Sequence, residues 1–204
     1  MWRSAVAGNA GKARNGRLDV SRFVNSLMSG YEYRGQAVHI EAIPAREASY
    51  GQVDPPIAPA LRGALGRMGI SSLYTHQAEA VQLAREGRDI VVVTSTASGK
   101  TLCYNIPVIE ELMRDPKAAA LYIFPTKALA QDQQRGLARI RELEPLLPVR
   151  SGTYDGDTPD STRRQLREQA NVILTNPDML HQGILPSHPS WRRFFAGLRY
   201  VVID

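Results

Sequence analysis

Residues Thr94-Ser95-Thr96-Ala97-Ser98-Gly99-Lys100-Thr101 sit between a run of β-branched apolar residues and a helical pattern. The spacing is that of a phosphate-binding loop, with Thr94 where the generic pattern has glycine. Small residues here let the backbone curl, so that amides from Thr96, Ala97, Ser98 and Gly99 turn inward toward an anion. The helix starting near Gly99 adds the positive end of its dipole. Lys100 supplies a mobile positive charge for the outer phosphates of a nucleotide, and the Thr101 hydroxyl is suited to ligate Mg²⁺. A strand-to-helix turn that binds nothing would show the same small residues. The strand before it and the helix after it are the context that favours nucleotide binding.

Elements with the right periodicity must hold this loop. Asp89-Ile-Val-Val-Val-Thr94 is a continuous apolar run, which predicts a strand buried on both faces. Residues 59–68 read as a short helix stopped by Gly69, and Thr75 as the cap of a helix from His76 to Glu86 with Gly87 as its stop. After the loop come a helix, a strand at Leu121–Phe124, a helical stretch over 127–143 and a strand candidate from Val149 to Tyr154. Thr158-Pro159 fits an N-cap and first helical position for a helix over 159–169. Val172–Thr175 and Tyr200–Asp204 are further strands. Strands alternating with helices predict parallel pairing and right-handed crossovers, hence an α/β three-layer sandwich with its ligands at the strand C-termini. Residues 1–20 read as a flexible basic tail and 21–55 as an N-terminal extension in which Val38-His39-Ile40 is extended. Asp54-Pro55-Pro56 separates these from a main domain over 56–204.

Four further segments narrow the reading, and with them the chain resembles the superfamily-two DEAD/DEAH-box helicases. Leu73-Tyr74-Thr75-His76-Gln77, seventeen residues before Thr94, is similar to the Q motif. The resemblance makes Gln77 the reader of adenine, since an amide donates and accepts at once. Tyr74 and His76 both stand near it as candidates for stacking on the base. Phe124-Pro125-Thr126-Lys127-Ala128-Leu129-Ala130 is similar to motif Ia, which implies that Pro125, Thr126 and Lys127 grip a nucleic-acid backbone. Thr175-Asn176-Pro177-Asp178-Met179-Leu180-His181 resembles motif Ib, which gives Thr175, Asn176, Pro177 and Asp178 a similar part; helix capping by Thr175 or Asn176 is compatible with it. Val201-Val202-Ile203-Asp204 looks like the start of motif II, whose Asp204 would hold Mg²⁺ beside Thr101 and act with Lys100 in catalysis.

Gly99-Lys-Thr-Leu-Cys-Tyr-Asn-Ile-Pro107 resembles DNA helicases of the RecQ type more than RNA helicases. Ile43-Pro-Ala-Arg-Glu-Ala48, Tyr154-Asp-Gly-Asp-Thr-Pro159 and the motif Ib run resemble the bacterial mitomycin-repair-factor helicases and their fungal Hrq-type relatives. The resemblance implies a RecA-like fold, incomplete at its C-terminal end, with ATP and Mg²⁺ as cofactors. It implies a 3′-to-5′ DNA helicase acting in repair, with a second RecA-like domain absent from this sequence. The chain alone is expected to bind ATP weakly and not to unwind DNA. The rivals are a P-loop kinase or GTPase, a DEAD-box RNA helicase, and a non-catalytic short protein that sequesters nucleotide or DNA. No guanine-reading Asn-Lys-x-Asp stretch is present.

Composition is permissive. The 204 residues are 43% hydrophobic with net charge +5, enough for a core and compatible with a polyanionic partner such as single-stranded DNA. Arg3, Lys12, Arg14 and Arg17 could touch phosphates. The single cysteine, Cys103, permits no disulfide within the chain, and the four histidines are scattered. No apolar run has membrane-spanning length, so the sequence predicts a soluble, cytoplasmic protein.

Overall fold

The computed structural model describes residues 19–41, 47–95 and 98–204. The chain divides into two compact units, Met1–Glu47 and Ala48–Asp204. In the first, helix α1 (Val20–Met28) is capped by Asp19, whose Oδ1 accepts from the Arg22 amide at 2.9 Å. Val20, Phe23, Val24, Leu27 and Met28 recur at helical spacing, a pattern not foreseen from the sequence, and none of them is buried. Val38-His39-Ile40 takes no regular structure. The remainder of the basic tail, with Arg3, Lys12, Arg14 and Arg17, lies outside the described residues, as does most of the Ile43–Ala48 string.

The second unit starts with β1 (Tyr50–Gly51), ahead of the Asp54-Pro55-Pro56 punctuation. β1 pairs antiparallel with β2 (Leu73–Tyr74). Between them runs α2 (Pro59–Arg67), with proline in its first turn and Gly69 at φ +83° after its end. Helix α3 (Thr75–Arg85) begins one residue earlier than expected. Tyr74, not Thr75, is the N-cap, and Gln77 completes a capping box by accepting from the Tyr74 amide. The Thr75 hydroxyl instead donates to Ser49 Oγ at 2.7 Å.

The main sheet is parallel, in the order β4 (Ser151–Thr153), β5 (Val172–Thr175), β3 (Ala119–Ile123), β6 (Leu198–Ile203). Its residues alternate between two cores, as the pleat requires. Ala120, Tyr122, Phe124, Val172 and Leu174 face a cluster with α2, α3, α4 (Thr101–Arg114) and α5 (Lys127–Leu143). Ala119, Leu121 and Ile173 face the opposite cluster, which holds Ile184, Trp191 and Phe194. That second layer comprises α6 (Asp160–Gln169), α7 (Pro177–Met179) with the π-helical turn Leu180–Ile184, and α8 (Arg192–Ala196) after the 3₁₀ turn His188–Trp191. The result is the three-layer α/β sandwich that the alternating pattern predicts, RecA-like as the resemblance implies. Pro159 takes the cap position of α6, because the Thr158 hydroxyl turns back to accept from the Asp155 amide at 2.9 Å.

One expectation fails. Residues 89–94 were predicted to be a strand buried on both faces. They form no ladder, and Val91 and Val93 are 89% and 88% exposed. Burial of a strand comes from neighbours on either side as well as from covering helices, and no described strand lies beside this segment. The facing edge, β6, is likewise open, with Val201 54% and Ile203 80% exposed. A cavity of about 820 Å³ lies between them. Asp89 and Ile90 line one side, Tyr200 and Val201 the other, and Pro107 and Glu110 of α4 add to the lining.

Candidate nucleotide and nucleic-acid site

Parallel register brings three of the predicted segments to one edge. Ile123 is level with Thr175 on one neighbour and with Ile203 on the other. The chain therefore leaves the sheet at Phe124, Asn176 and Asp204 in one row. Two backbone bonds hold the row: the Phe124 amide donates to Thr175 O at 2.9 Å and the Asp204 amide to Ile123 O at 3.1 Å.

The phosphate-loop residues gather against α3. Gly99 has φ +78°, and a Cβ added there would lie 2.5 Å from Gln77 Nε2. Glycine is thus required twice, by backbone conformation and by close approach. Gln77 is only 2% exposed. Its Oε1 accepts from the Tyr74 amide at 2.9 Å and its Nε2 donates to Gly99 O at 2.9 Å. His76 Nε2 contacts Ser98 O at 3.1 Å, so adjacent residues on α3 hold adjacent carbonyls of the loop. The Lys100 ammonium donates to Ser95 O at 3.1 Å and to Thr94 O at 3.3 Å. Thr94 stands where a glycine is usual, and its hydroxyl lies 2.6 Å from the Ser98 hydroxyl, closing the loop across its base. Thr96 and Ala97 lie outside the described residues.

Beside Gln77 is a stack of rings. Tyr50 and Tyr74 are parallel with centroids 5.5 Å apart, and Tyr74 and His76 are parallel at 5.9 Å. Tyr50 was not foreseen. Only the β1–β2 pairing, which sets Tyr50 opposite Tyr74, brings it to the site.

A second unforeseen residue, Tyr104, lies beside Asp204. Its hydroxyl donates to Asp204 Oδ2 at 3.0 Å and stands 3.4 Å from Gln133 Oε1 on α5. Burial pushes this phenol well above the ordinary tyrosine range. A hydrogen bond from the Thr101 hydroxyl opposes that, and the Asp204 carboxylate reinforces it. Tyr104 thus ties Asp204 to the helix that Thr101 opens, and these are the two residues predicted to hold Mg²⁺. Deeper down, Tyr122 donates to Asn105 Oδ1 at 2.9 Å, locking α4 to β3. Cys103 is buried, and burial raises its thiol pKa.

Along the rim, Thr126 caps α5 by accepting from the Leu129 amide at 3.3 Å, and Asn176 caps α7 by accepting from the Met179 amide at 2.8 Å. Pro125, Thr126, Pro177 and Asp178 are exposed. Thr175 is not available as a gripping side chain: it is buried, and its hydroxyl donates to Tyr154 O at 2.8 Å. Lys127 is paired with Asp157 at 2.7 Å. The Asp157 loop is held firmly, because Asp155 Oδ1 accepts from the Asp157 amide and the Arg163 guanidinium donates to the carbonyls of Asp155 and Thr158. The hydrogen bond from Lys127 lowers the Asp157 carboxyl pKa, and the same bond raises that of Lys127.

Fold and site together define a RecA-like domain of the P-loop type. The family profile of the DEAD/DEAH box helicases matches residues 74–204, and the chain belongs to that family. It is 44% identical over 181 residues to the ATP-dependent helicase YprA of Bacillus subtilis, covering 89% of this chain and 24% of that protein. It is 41% identical over 189 residues to the ATP-dependent helicase hrq1 of Schizosaccharomyces pombe, covering 91% and 18%. The crystal structure of the helicase MrfA bound to DNA and AMPPNP is similar with a TM-score of 0.76 at 47% identity, over 79% of this chain and 23% of that one. The chain thus spans a quarter or less of the length of these relatives. Among the described residues no helix is long and apolar enough to cross a membrane.

Proposed function

We infer that the chain is the first motor domain of an ATP-dependent DNA helicase, working 3′ to 5′ in DNA repair. It would bind ATP at the loop and a DNA strand along the adjoining rim. The observation that carries this is the single row formed by Phe124, Asn176 and Asp204, joined through Asp204 to Tyr104 on the helix that follows the loop. Closure of a nucleotide cleft on this edge would move the same backbone that meets DNA.

Phosphoryl transfer depends on positioning and charge neutralisation. In this reading Lys100 leaves the loop carbonyls for the β- and γ-phosphates. Gln77 keeps one N–H and one lone pair for an adenine edge, and Tyr50, Tyr74 or His76 offers it a ring face. The hydroxyl of Thr101, at the start of α4, and the carboxylate of Asp204, bonded to Tyr104 on the same helix, are hard oxygen donors of the kind that suits Mg²⁺. A bound Mg²⁺ would neutralise charge on the phosphates. A second RecA-like domain would supply arginine fingers, commonly worth about a thousandfold to a hundred-thousandfold in rate. Contacts through Thr126, Lys127 and Asn176 to phosphates would make DNA binding sequence-independent and salt-sensitive.

The decisive experiment is binding of a fluorescent ATP analogue to the 204-residue chain and to Lys100→Ala. The chain is expected to bind and the variant to lose binding, without steady turnover or unwinding in either. Equal affinity of the two proteins would overturn the reading.

A further inference from the structure

Asp204 is held to the sheet by one backbone bond, its amide to Ile123 O. Its side chain is exposed just after β6. One donor reaches it, the Tyr104 hydroxyl at 3.0 Å on Oδ2, which leaves Oδ1 as the unengaged acceptor. Tyr104 follows Thr101 by one helical turn on α4, which puts the two side chains on the same face of that helix. Its ring is fixed edge-on to Tyr122 at 5.3 Å and 83°, and Tyr122 is itself anchored to Asn105. The donor is therefore pre-positioned by the core. A phenol has one proton, and Gln133 Oε1 at 3.4 Å competes for it from α5, the helix that begins at Lys127.

We propose that Tyr104 is a positioning residue of the ATP-hydrolysing site: its hydroxyl orients the Asp204 carboxylate for a divalent cation, with Gln133 as the competing acceptor on the nucleic-acid side. The proposal rests on Asp204 and Thr101 as the cation-holding groups. It goes beyond that reading by naming what aims them.

The test uses the 204-residue chain and a fluorescent ATP analogue, titrated in Mg²⁺ and again in EDTA. The ratio of the two affinities is the readout. Tyr104→Phe keeps the ring and removes only the hydroxyl. It is expected to leave the affinity in EDTA unchanged and to reduce the Mg²⁺-dependent gain roughly tenfold, the scale of one hydrogen bond to a charged group. Asp204→Asn should lose the same gain, and the double variant should be no worse than Asp204→Asn alone. Gln133→Leu should preserve or increase the gain, because it removes the competitor. A normal gain in Tyr104→Phe alongside a lost one in Asp204→Asn would overturn the Tyr104 role alone. An equal loss in Mg²⁺ and EDTA would reduce Tyr104 to a packing residue and overturn it as well. No gain in the unaltered chain, with Asp204→Asn indistinguishable from it, would overturn the cation reading and this proposal together.

Discussion

At the scale of residues, the nucleotide loop is governed by short-range contacts between Gly99 and α3. Gly99→Ala would force an L side chain to φ +78° and drive a methyl group onto Gln77 Nε2. The backbone term alone costs about 1–2 kcal/mol. The expected outcome is a loss of stability of that order in chemical denaturation, together with loss of ATP-analogue binding as Gln77 is pushed from Gly99 O. Unchanged stability and binding would show that the loop does not need this geometry. The same contacts explain why Gln77 is buried. The Tyr74 amide and the Gly99 carbonyl hold both ends of its side-chain amide.

At the scale of elements, the start of α5 and the Tyr154–Pro159 loop act as a pair. Lys127 presents the one cation of motif Ia, and Asp157 neutralises it. A phosphate that uses Lys127 must displace that carboxylate. Lys127→Ala should therefore weaken DNA binding alike for all sequences and flatten its salt dependence. Asp157→Asn should strengthen binding, and fluorescence anisotropy with single-stranded DNA of two unrelated sequences would measure both. The pH sense follows from the lowered pKa of Asp157. A carboxyl held below its ordinary 3.8 stays ionised above that value, and its pairing with Lys127 is lost only as pH falls through the folded pKa. The gain from Asp157→Asn should accordingly be constant between about pH 5 and 8. A gain that disappeared toward pH 8 would assign the effect to another group.

At the scale of the whole molecule, the notable feature is the open edge of the sheet. β6 and residues 89–94 expose Val201, Ile203, Val91 and Val93, and Val201 also lines the 820 Å³ cavity. Unpaired apolar edges template association with other chains. The 204-residue chain should self-associate on heating or at high concentration, and Val201→Lys with Ile203→Lys should raise the monomer fraction in light scattering. A clean monomer with one cooperative thermal transition before any substitution would contradict this. The prediction and the failed expectation for residues 89–94 share a cause. An apolar β-branched run signals a wish for burial, whereas burial itself depends on which strands flank it.

What the sequence alone determined is whatever depends on local pattern. The Gly-Lys-Thr spacing, the helix stops at Gly69 and Gly87 and the apolar runs of β3 and β5 are each set by the conformational preferences of a few consecutive residues. The α/β three-layer sandwich follows because alternating strands and helices admit few packings, and its RecA-like character came from the family resemblance. Tertiary structure decided the rest: that Thr175 is buried, that Lys127 meets Asp157, that Tyr50 joins the ring stack and that Tyr104 reaches Asp204, a hundred positions away. Such pairings are set by sheet order and register, and those are consequences of the whole chain packing at once.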